Sequence, residues 1–374
     1  MYISTLKLEH FRNYDGLELS FSRGTNLFYG DNAQGKTNIL EAIYFCGTTR
    51  SHRTSRDREL IRFDADEAHL RMEMEREIAA GPKEALQKNQ TVSYRIDMHL
   101  KKARAKGIAI NGIAIRKAQE LIGLGHFVFF SPEDLGIIKN GPSERRRFLD
   151  MELCQLDQVY VSSLADYNRV LFQRNKLLKD LSVRPQDMDT LDVWDEQLVR
   201  YGSSLIRSRE KFVEKLSKII LPIHEKLSGG REQICVGYER NVSAEDFAQV
   251  LSAGREKDLY LKSTETGPHR DDLSFTVNGI DIRHFGSQGQ QRSAALSLKL
   301  AEIELVKEAT GDIPVLLLDD VLSELDTNRQ HYLLDSIGDI QTFITCTGLE
   351  EYENSPVQID RIFKVHDGKC IKSL

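Results

Sequence analysis

Residues 30–37 read Gly30-Asp31-Asn32-Ala33-Gln34-Gly35-Lys36-Thr37 and match the pattern G-x-x-x-x-G-K-S/T at every position. Glycines let the backbone curl until successive N–H groups point at phosphate oxygens. An apolar strand pattern precedes the stretch and a helical pattern follows it. The positive N-terminal end of that helix would also attract the phosphate groups. The motif predicts a phosphate-binding loop, in which Lys36 reaches the β- and γ-phosphates of ATP and Thr37 completes the shell of a Mg²⁺ ion.

A second apolar strand pattern ends in two acids, and it reads Val315-Leu316-Leu317-Leu318-Asp319-Asp320. Carboxylates at the carboxyl end of a buried strand are typical of sheets that carry a phosphate loop. We interpret Asp319 as the Mg²⁺ ligand. Asp320 points the other way by strand alternation and is interpreted as the residue that orients or activates the attacking water. The alternative is a helix cap or a solvated loop, because further polar residues follow closely.

A glycine-containing turn, Phe285-Gly286-Ser287-Gln288-Gly289-Gln290-Gln291-Arg292, stands directly before a predicted helix from about Gln290 to Ala309. Ser287, Gly289 and Gln290 supply a hydroxyl, N–H groups and an amide side chain, which favour anion binding at a helix N-terminus. A structural turn with an N-cap is the alternative. The order of the three motifs resembles that of ABC ATPases, whose signature motif contacts the γ-phosphate held by the phosphate loop of a partner subunit.

The composition is that of a soluble globular protein. The chain has 374 residues, 29% of them charged, and a net charge of −6, so nucleic-acid binding would depend on local basic patches. No apolar run is long enough to span a bilayer, and the first residues lack a signal-peptide pattern. We therefore expect a cytoplasmic protein with no membrane partner. The five cysteines are widely spaced, which indicates neither a zinc site nor a disulfide framework.

Apolar periodicity divides the chain into three stretches. Residues 1–138 and 263–374 mix strand and helix patterns, with two-residue hairpin turns predicted at Asn111-Gly112 and Asn278-Gly279. Residues 139–262 carry two apolar stripes, the first interrupted by Arg174, which predict an antiparallel helical hairpin with helices of about 50 Å each. The fold class predicted is α/β: an ABC-ATPase-like P-loop head, split into N- and C-terminal parts, with the α-helical hairpin arm inserted as a domain.

The chain also resembles the RecF family along essentially its whole length. The segments that carry the resemblance are Phe11-Arg12-Asn13-Tyr14, Gly30 to Glu41, Phe130 to Leu135, Gly141 to Ser143, Arg145 to Asp150, Gly267 to Asp272, the Ser287 turn and Leu316 to Asp326. RecF proteins are bacterial recombination mediators. The resemblance implies binding of ATP and of DNA without sequence preference, an ATP-dependent homodimer, a RecR-type partner, and help in loading recombinase at gapped or stalled sites. It also implies slow hydrolysis and support of SOS induction.

Residue roles follow from the resemblance by matching position. Arg12 and Asn13 are placed at the nucleotide, and Asp326 resembles the aspartate that crosses the dimer interface. Thr347 stands where many ABC ATPases carry a switch histidine, so a histidine sensor is not expected. Asp320 replaces the usual glutamate, and its shorter reach suggests slow hydrolysis. For His269, in Gly267-Pro268-His269-Arg270-Asp271-Asp272, a structural and a functional role stay equally open.

A stretch rich in arginine follows the phosphate-loop helix, and we name residues 50–62 the basic segment. It contains Arg50, Arg53, Arg56, Arg58 and Arg62, which we interpret as DNA-binding residues because guanidinium groups neutralise phosphates without reading sequence. A second cluster, Lys101 to Lys106, is the next candidate. The alternative for each cluster is a solvated basic face. Arg145-Arg146-Arg147 is interpreted as supporting the arm and its junction.

Two other classes of ATPase share these motifs. A chromosome-organising or nuclease-associated ABC ATPase would carry a long coiled coil, whereas this arm is short and has no C-x-x-C hook. A transporter subunit would have no helical insertion between the phosphate loop and the signature turn. Both alternatives are therefore less favoured than a RecF-type ATP-gated DNA clamp.

Overall fold

The computed structural model describes residues 1–78, 90–181, 183–349 and 358–372. The chain forms two compact units. The first consists of Met1–Pro132 together with Val306–Leu374, and the second of Glu133–Leu305. The first unit is therefore assembled from both ends of the chain.

The strands of the described residues are short to medium in length. They are β1 (Tyr2–Phe11), β2 (Tyr14–Ser20), β3 (Thr25–Tyr29), β4 (Glu67–Ile78), β5 (Gln90–Lys101), β6 (Arg104–Ile110), β7 (Ile113–Ala114), β8 (Phe127–Phe130), β9 (Ile234–Glu239), β10 (Asp272–Val277), β11 (Ile280–Asp281), β12 (Val315–Asp319), β13 (Thr342–Cys346), β14 (Ile359–His366) and β15 (Lys369–Lys372).

The longest α-helix of the described residues, with 38 residues, lies in the middle of the chain. The helices are α1 (Lys36–Thr48), α2 (Leu135–Lys139), α3 (Pro142–Leu156), α4 (Gln158–Asp180), α5 (Thr190–Leu227), α6 (Phe247–Ala253), α7 (Arg255–Leu261), α8 (Ile282–Phe285), α9 (Gln288–Thr310) and α10 (Thr327–Ile337).

Two sheets build the first unit. Among the described residues, one has the order β15-β14-β3-β13-β12-β8, with β14, β3, β13, β12 and β8 parallel. The other has the order β2-β1-β4-β5-β6-β7 and is antiparallel. Every residue of β12 and of β13 is buried, as expected for strands covered on both faces of a parallel sheet. The predicted strand that leads to Asp319 is thereby confirmed.

The two predicted hairpin turns are present. Asn111 and Gly112 have φ of 52° and 82°, and Asn278 and Gly279 have φ of 51° and 78°. Positive φ at both central residues suits the twist of an antiparallel pair, and Asn-Gly adopts it at little cost. The first turn joins β6 to β7, and the second joins β10 to β11.

Helices dominate the second unit. α4 and α5 pack side by side as the predicted hairpin, with apolar residues such as Leu164, Val170, Leu198 and Leu205 buried between them and their neighbours. At 1.5 Å per residue the 38 residues of α5 span about 57 Å. The 23 residues of α4 span only about 35 Å, so the expectation of two helices of about 50 Å is wrong for α4.

The second unit extends further than the helical arm. A three-stranded sheet with the order β11-β10-β9 packs against α5, and its Val236, Phe275 and Val277 join the helical core. Residues 263–305, which the sequence pattern assigns to the head, are therefore compact with the helices. The division at 138/139 and 262/263 stays a prediction. Among the described residues, every helix is too short or too polar to cross a membrane.

Candidate nucleotide site

The loop of residues 30–35 connects β3 to α1 at the carboxyl edge of the parallel sheet. Gly30 has φ of 152° and Gly35 has φ of 112°, values that side chains with a Cβ rarely adopt. A Cβ at Gly30 would overlap the carbonyl oxygen of Val365, and one at Gly35 would overlap the amide of Asn13. Gly30 is thus required by conformation and by space, and Gly35 is required by its conformation.

Lys36 folds back over this loop from the first turn of α1. Its Nζ donates to the carbonyl oxygens of Gly30 at 2.6 Å and Asp31 at 2.9 Å. Burial lowers the pKa of Lys36, while the nearby carboxylates of Asp320 and Asp319 oppose that shift. The ammonium group therefore lies within the concave loop, where it could meet phosphate oxygens.

Asp319 joins the two distant motifs. Thr37 Oγ1 donates to Asp319 Oδ1 at 2.9 Å, so the phosphate-loop helix contacts the end of β12. Thr345, on the neighbouring strand β13, donates to the same oxygen at 2.7 Å. Burial raises the pKa of Asp319, and the hydrogen bonds from Thr345 and Thr37 oppose the rise.

Asp320 is held in a left-handed conformation with φ of 53°. Its backbone N–H donates to Thr345 Oγ1 at 2.9 Å. Such a backbone is uncommon for a residue with a Cβ and costs about 1–3 kcal/mol, which the surrounding contacts offset. Thr345 therefore positions both acids, a role that the sequence interpretation missed.

A Mg²⁺ ion fits the oxygens that meet here. Neighbouring oxygens around octahedral Mg²⁺, each about 2.1 Å from the ion, lie about 3.0 Å apart. The Thr37 hydroxyl and the Asp319 carboxylate, at 2.9 Å, have this spacing. In the described part of the chain no group of three or more His, Cys, Asp or Glu side chains could hold a metal, and Mg²⁺ does not need one because it retains waters and substrate phosphates.

Asn13 and Arg12, the other predicted nucleotide residues, have different surroundings. Asn13 Nδ2 donates to the carbonyl oxygen of Gln34 at 3.0 Å, so it touches the phosphate loop directly. Arg12 instead makes two hydrogen bonds, at 2.8 and 2.7 Å, to the fully buried carboxylate of Glu41 on α1. Burial would raise the pKa of Glu41, but hydrogen bonds from Arg12 and Ser51 hold it below its ordinary value. The structure thus brings Asn13, but not the Arg12 guanidinium, onto the loop backbone.

The Ser287 turn lies in the second unit and opens α9. Gln290 N donates to Ser287 Oγ at 3.2 Å, and Ser287 N donates to Gln290 Oε1 at 2.9 Å. This reciprocal pair is a capping box, which satisfies two N–H groups of the turn. Ser287 and Gly289 are exposed, and so is Phe285, two residues before Ser287. The turn is therefore both a helix cap and an accessible surface.

Asp326 caps a helix as well. Its Oδ1 accepts from the backbone N–H of Arg329 at 3.1 Å at the start of α10, and its carboxylate pairs with the Arg329 guanidinium. Thr347, just past β13, is exposed. Asp326 thus has a local structural contact.

The basic segment lies beside α1, and its arginines differ in their contacts. Arg53 NH1 donates to Asn38 on α1 at 3.1 Å, Arg56 pairs with Glu59, and Arg62 pairs with Asp15 and Asp64. Arg50 and Arg58 are exposed and make no ion pair with another described residue. Lys106 donates to the Thr49 carbonyl at 2.5 Å, which brings the second basic cluster against the first.

His269 is a satisfied structural residue. Its Nδ1 lies 2.7 Å from the Tyr167 hydroxyl, and its Nε2 lies 2.9 Å from the carbonyl oxygen of Thr264. Because that carbonyl can only accept, Nε2 carries the proton and Nδ1 accepts from Tyr167. Burial lowers the pKa of His269, which keeps the ring neutral. The structural alternative therefore accounts for this residue.

Several acids and arginines of the family segments form a buried network with Arg209 in the second unit. Arg209 on α5 donates to Asp150 at 2.8 Å, to Asp271 at 3.0 Å and to the carbonyl oxygen of Pro268 at 2.6 Å. Arg145 makes two hydrogen bonds to Asp272, at 2.6 and 2.8 Å. These contacts join α3 and α5 to the segment before β10 and to the first residue of that strand. The family segments that contain Arg145, Asp150, Asp271 and Asp272 thus serve the packing of the second unit.

The parallel sheet, its phosphate loop and the inserted helical hairpin define an α/β head of the ABC-ATPase type. A family model described as "RecF/RecN/SMC N terminal domain" matches residues 2–371. A protein of Lachnospira eligens called "DNA replication and repair protein RecF" is 57% identical over 373 residues, covering 99% of both chains. The chain belongs to the RecF family.

Solved structures agree with this assignment. "Structure of the recombination mediator protein RecF-ATP in RecFOR pathway" is similar with a TM-score of 0.89 and 36% identity, covering 100% of this chain and 98% of the other. A Smc head bound to a domain of ScpA has a TM-score of 0.55 at 18% identity, covering 100% of this chain and 97% of that one. The second likeness shows the fold alone.

Proposed function

We propose that this protein is an ATP-gated DNA-binding protein of replication and repair. It binds ATP with Mg²⁺, dimerises on DNA, associates with a RecR-type mediator and helps recombinase loading at gapped or stalled sites in the cytoplasm, with support of SOS induction. The contact of Thr37 with Asp319 carries the proposal, because it joins the phosphate loop to the carboxylate strand in one site. The similarity to a solved RecF-ATP structure supports it.

The residues of the site have separate tasks. The loop N–H groups from Asp31 to Gly35 and the Lys36 ammonium bind the phosphates, while Thr37 and Asp319 hold Mg²⁺, which neutralises charge on the transferred group. Asp320, the residue directly after β12, orients the attacking water. Its left-handed backbone means that strand alternation does not set the direction of its side chain. An aspartate side chain is shorter than that of a glutamate, so hydrolysis is slow. In this proposal DNA stimulates the hydrolysis, which serves as a switch.

Dimerisation explains why the Ser287 turn is exposed while it caps α9. Its remaining N–H groups and the helix N-terminus offer a second anion-binding surface, which a second copy of the chain can present to the phosphate loop. Ser287, Gly289 and Gln290 therefore contact the γ-phosphate in trans. Two such sites close about a two-fold axis, with Asp326 at the same interface, and ATP favours the dimer by mass action.

Replacing Ser287 with arginine is expected to leave ATP binding by the monomer unchanged within about threefold and to abolish ATP-dependent dimerisation. The added bulk and charge enter the facing site, whereas the phosphate loop of the same chain is untouched. Light scattering with ATP, with ADP and without nucleotide measures the mass, and titration calorimetry measures ATP affinity.

Ser252→Arg is the matched control, since Ser252 is an exposed residue of α6, and it should dimerise like wild type. Identical mass of the wild type in all three nucleotide conditions would refute the dimer mechanism. Equal loss of ATP binding in Ser287→Arg would refute the assignment in trans.

The basic segment supplies the DNA contacts in this proposal, through Arg50, Arg53, Arg56, Arg58 and Arg62. Changing Arg50, Arg56 and Arg58 together to alanine is expected to weaken DNA binding equally across sequences. Each lost phosphate contact should also flatten the slope of log affinity against log salt by roughly 0.7–0.9. Fluorescence anisotropy with labelled duplex and single strands over a salt series measures both quantities.

The control removes the same charge elsewhere, from the exposed Arg200, Lys211 and Lys218 of α5. It should leave the salt slope of wild type. If instead the basic-segment variant keeps the wild-type slope, the DNA site lies elsewhere, with Lys101 to Lys106 the next candidate.

A further inference from the structure

Three side chains form a hydrogen-bonded chain from the phosphate loop to the basic segment. Asn13 Nδ2 donates to the Gln34 carbonyl oxygen at 3.0 Å, and Asn38 Nδ2 donates to Asn13 Oδ1 at 2.8 Å. Arg53 NH1 donates to Asn38 Oδ1 at 3.1 Å. We name Asn13, Asn38 and Arg53 the amide relay. It connects two surfaces that the proposed function assigns to different ligands, ATP and DNA.

The direction of every bond in the amide relay is fixed by chemistry. A carbonyl oxygen can only accept, so Asn13 must present its NH₂ group to Gln34 and its oxygen to Asn38. Asn38 must then donate to Asn13, which leaves its own oxygen for the guanidinium of Arg53, a group that can only donate. All three donors therefore point toward the phosphate loop, and such aligned bonds polarise one another.

At the loop end, the relay contacts the peptide group between Gln34 and Gly35, whose N–H would donate to a bound phosphate. The Gln34 carbonyl and the Gly35 N–H belong to one planar peptide group, in which they point in opposite directions. Because Asn13 holds the carbonyl, it also sets the direction of the Gly35 N–H. A phosphate that draws this N–H toward itself rotates the carbonyl on the other side and changes its bond to Asn13.

The far end of the relay is anchored. Ser51 Oγ donates to Glu41 at 2.5 Å and accepts from the N–H groups of Arg53 at 3.0 Å and Thr54 at 3.1 Å. The guanidinium of Arg53 lies 3.8 Å from the same carboxylate. Glu41 is on α1 and fully buried, so the beginning of the basic segment is fixed to the phosphate-loop helix. Because this attachment is rigid, a changed hydrogen bond at the phosphate loop alters the position of the Arg53 guanidinium.

We propose that the amide relay couples nucleotide occupancy to DNA affinity, with Asn38 as its positioning residue and Arg53 as its contact in the basic segment. The inference rests on the proposed function and deepens it. It also divides the arginines: Arg50, Arg56 and Arg58 act by charge alone, whereas Arg53 additionally reports the state of the loop. Linkage requires the effect to be reciprocal, so DNA must change ATP affinity by the same factor.

The test compares Asn38→Ala with Arg58→Ala. DNA affinity of each full-length variant is measured by anisotropy on a labelled duplex with ATP, with ADP and without nucleotide, and ATP affinity is measured with and without DNA. Light scattering follows ATP-dependent dimerisation, and thermal unfolding verifies the fold. The quantity of interest is the ratio of the DNA affinities with ATP and with ADP, for which coupling typically gives about 5–150-fold.

Arg58→Ala is expected to lower DNA affinity in every nucleotide state while keeping the wild-type ratio. Asn38→Ala should bring the ratio to within about twofold of one, with the same loss in the effect of DNA on ATP affinity, and should still dimerise. The double variant Asn38→Ala/Arg53→Met should reduce the ratio no further than Asn38→Ala does, because both break one relay.

Two outcomes overturn the inference and spare the proposed function. The first is a wild-type ratio in Asn38→Ala, and the second is loss of the ratio together with loss of dimerisation, which would make the dimer and not the relay responsible. A wild-type protein whose DNA affinity is the same with ATP and ADP would overturn the ATP-gated function itself, and the relay with it.

Discussion

Replacing Lys36 with methionine is expected to lower the affinity for ATP by at least about a hundredfold. The ammonium group now satisfies the carbonyl oxygens of Gly30 and Asp31 and lies where phosphate oxygens would bind. Charge-assisted hydrogen bonds contribute about 1.5–3 kcal/mol each, and about 1.4 kcal/mol corresponds to a factor of ten. The expected effect corresponds to the loss of two such bonds from Lys36 to phosphate oxygens of ATP. Titration calorimetry in the presence of Mg²⁺ measures the affinity.

Lys7→Met is the matched control, because Lys7 is an exposed residue of β1 in the same unit and pairs only weakly with Glu9. Its ATP affinity should equal that of wild type. If Lys36→Met binds ATP within a few-fold of wild type and is folded by circular dichroism, the nucleotide does not bind at this loop.

The second large effect concerns stability. Replacing Arg209 with methionine is expected to destabilise the second unit by about 3–5 kcal/mol, the usual cost of removing one partner from a buried ion pair. Asp271 is fully buried and would lose its cation, and the carbonyl oxygen of Pro268 would lose its donor. Urea unfolding followed by the fluorescence of Trp194, which packs against the core of this unit, measures the change.

Arg207→Met provides the comparison, since Arg207 is two residues away on α5, exposed, and 3.5 Å from the exposed Glu245. It should change stability by less than about 1 kcal/mol, as is usual for surface ion pairs. Equal unfolding midpoints for the two variants would contradict a structural role for the buried network.

Much of the fold and part of the site could be predicted because the signals are local. The phosphate loop, the strand ending at Asp319 and the Asn-Gly turns each occupy a few consecutive residues whose chemistry fixes their conformation. Lys36, Thr37 and Asp319 meet in the structure as their motifs indicate. For these residues, the local sequence motif was sufficient to predict a contact between distant parts of the chain.

Other contacts could not be predicted, since they depend on which strands pair and in which register. Thr345 reaches Asp319 because β13 lies parallel to β12 with these two residues opposite each other. Nothing near Thr345 in the sequence indicates that pairing. The family resemblance places Arg12 at the nucleotide, whereas the structure gives its guanidinium to Glu41, an acid on a helix face that pattern alone would leave in solvent.

Arg174 shows why apolar periodicity has limits. It interrupts a stripe of α4 and would suggest a gap in the packing seam. In the structure it is completely buried and donates to Asp195 and Asp258 at 2.6 and 2.7 Å. Its partners lie on α5 and α7, so the burial of an arginine at this position is explained only by the packing of the three helices.

The order in which β3 acquires its neighbours has a consequence during synthesis on the ribosome. Thr25 pairs with Thr342 on one side and with Ile359 on the other, so an apolar strand from the beginning of the chain waits for residues near its end. At about 5–20 residues per second, translation leaves that strand unpaired for roughly 20 seconds to a minute. A nascent or truncated chain without β13 and β14 therefore exposes the unpaired edges of β3, which can pair with other chains. It also lacks the strands that hold β3 and the phosphate loop in place. We therefore expect a product that ends before β13 to aggregate readily and to lack ATP binding.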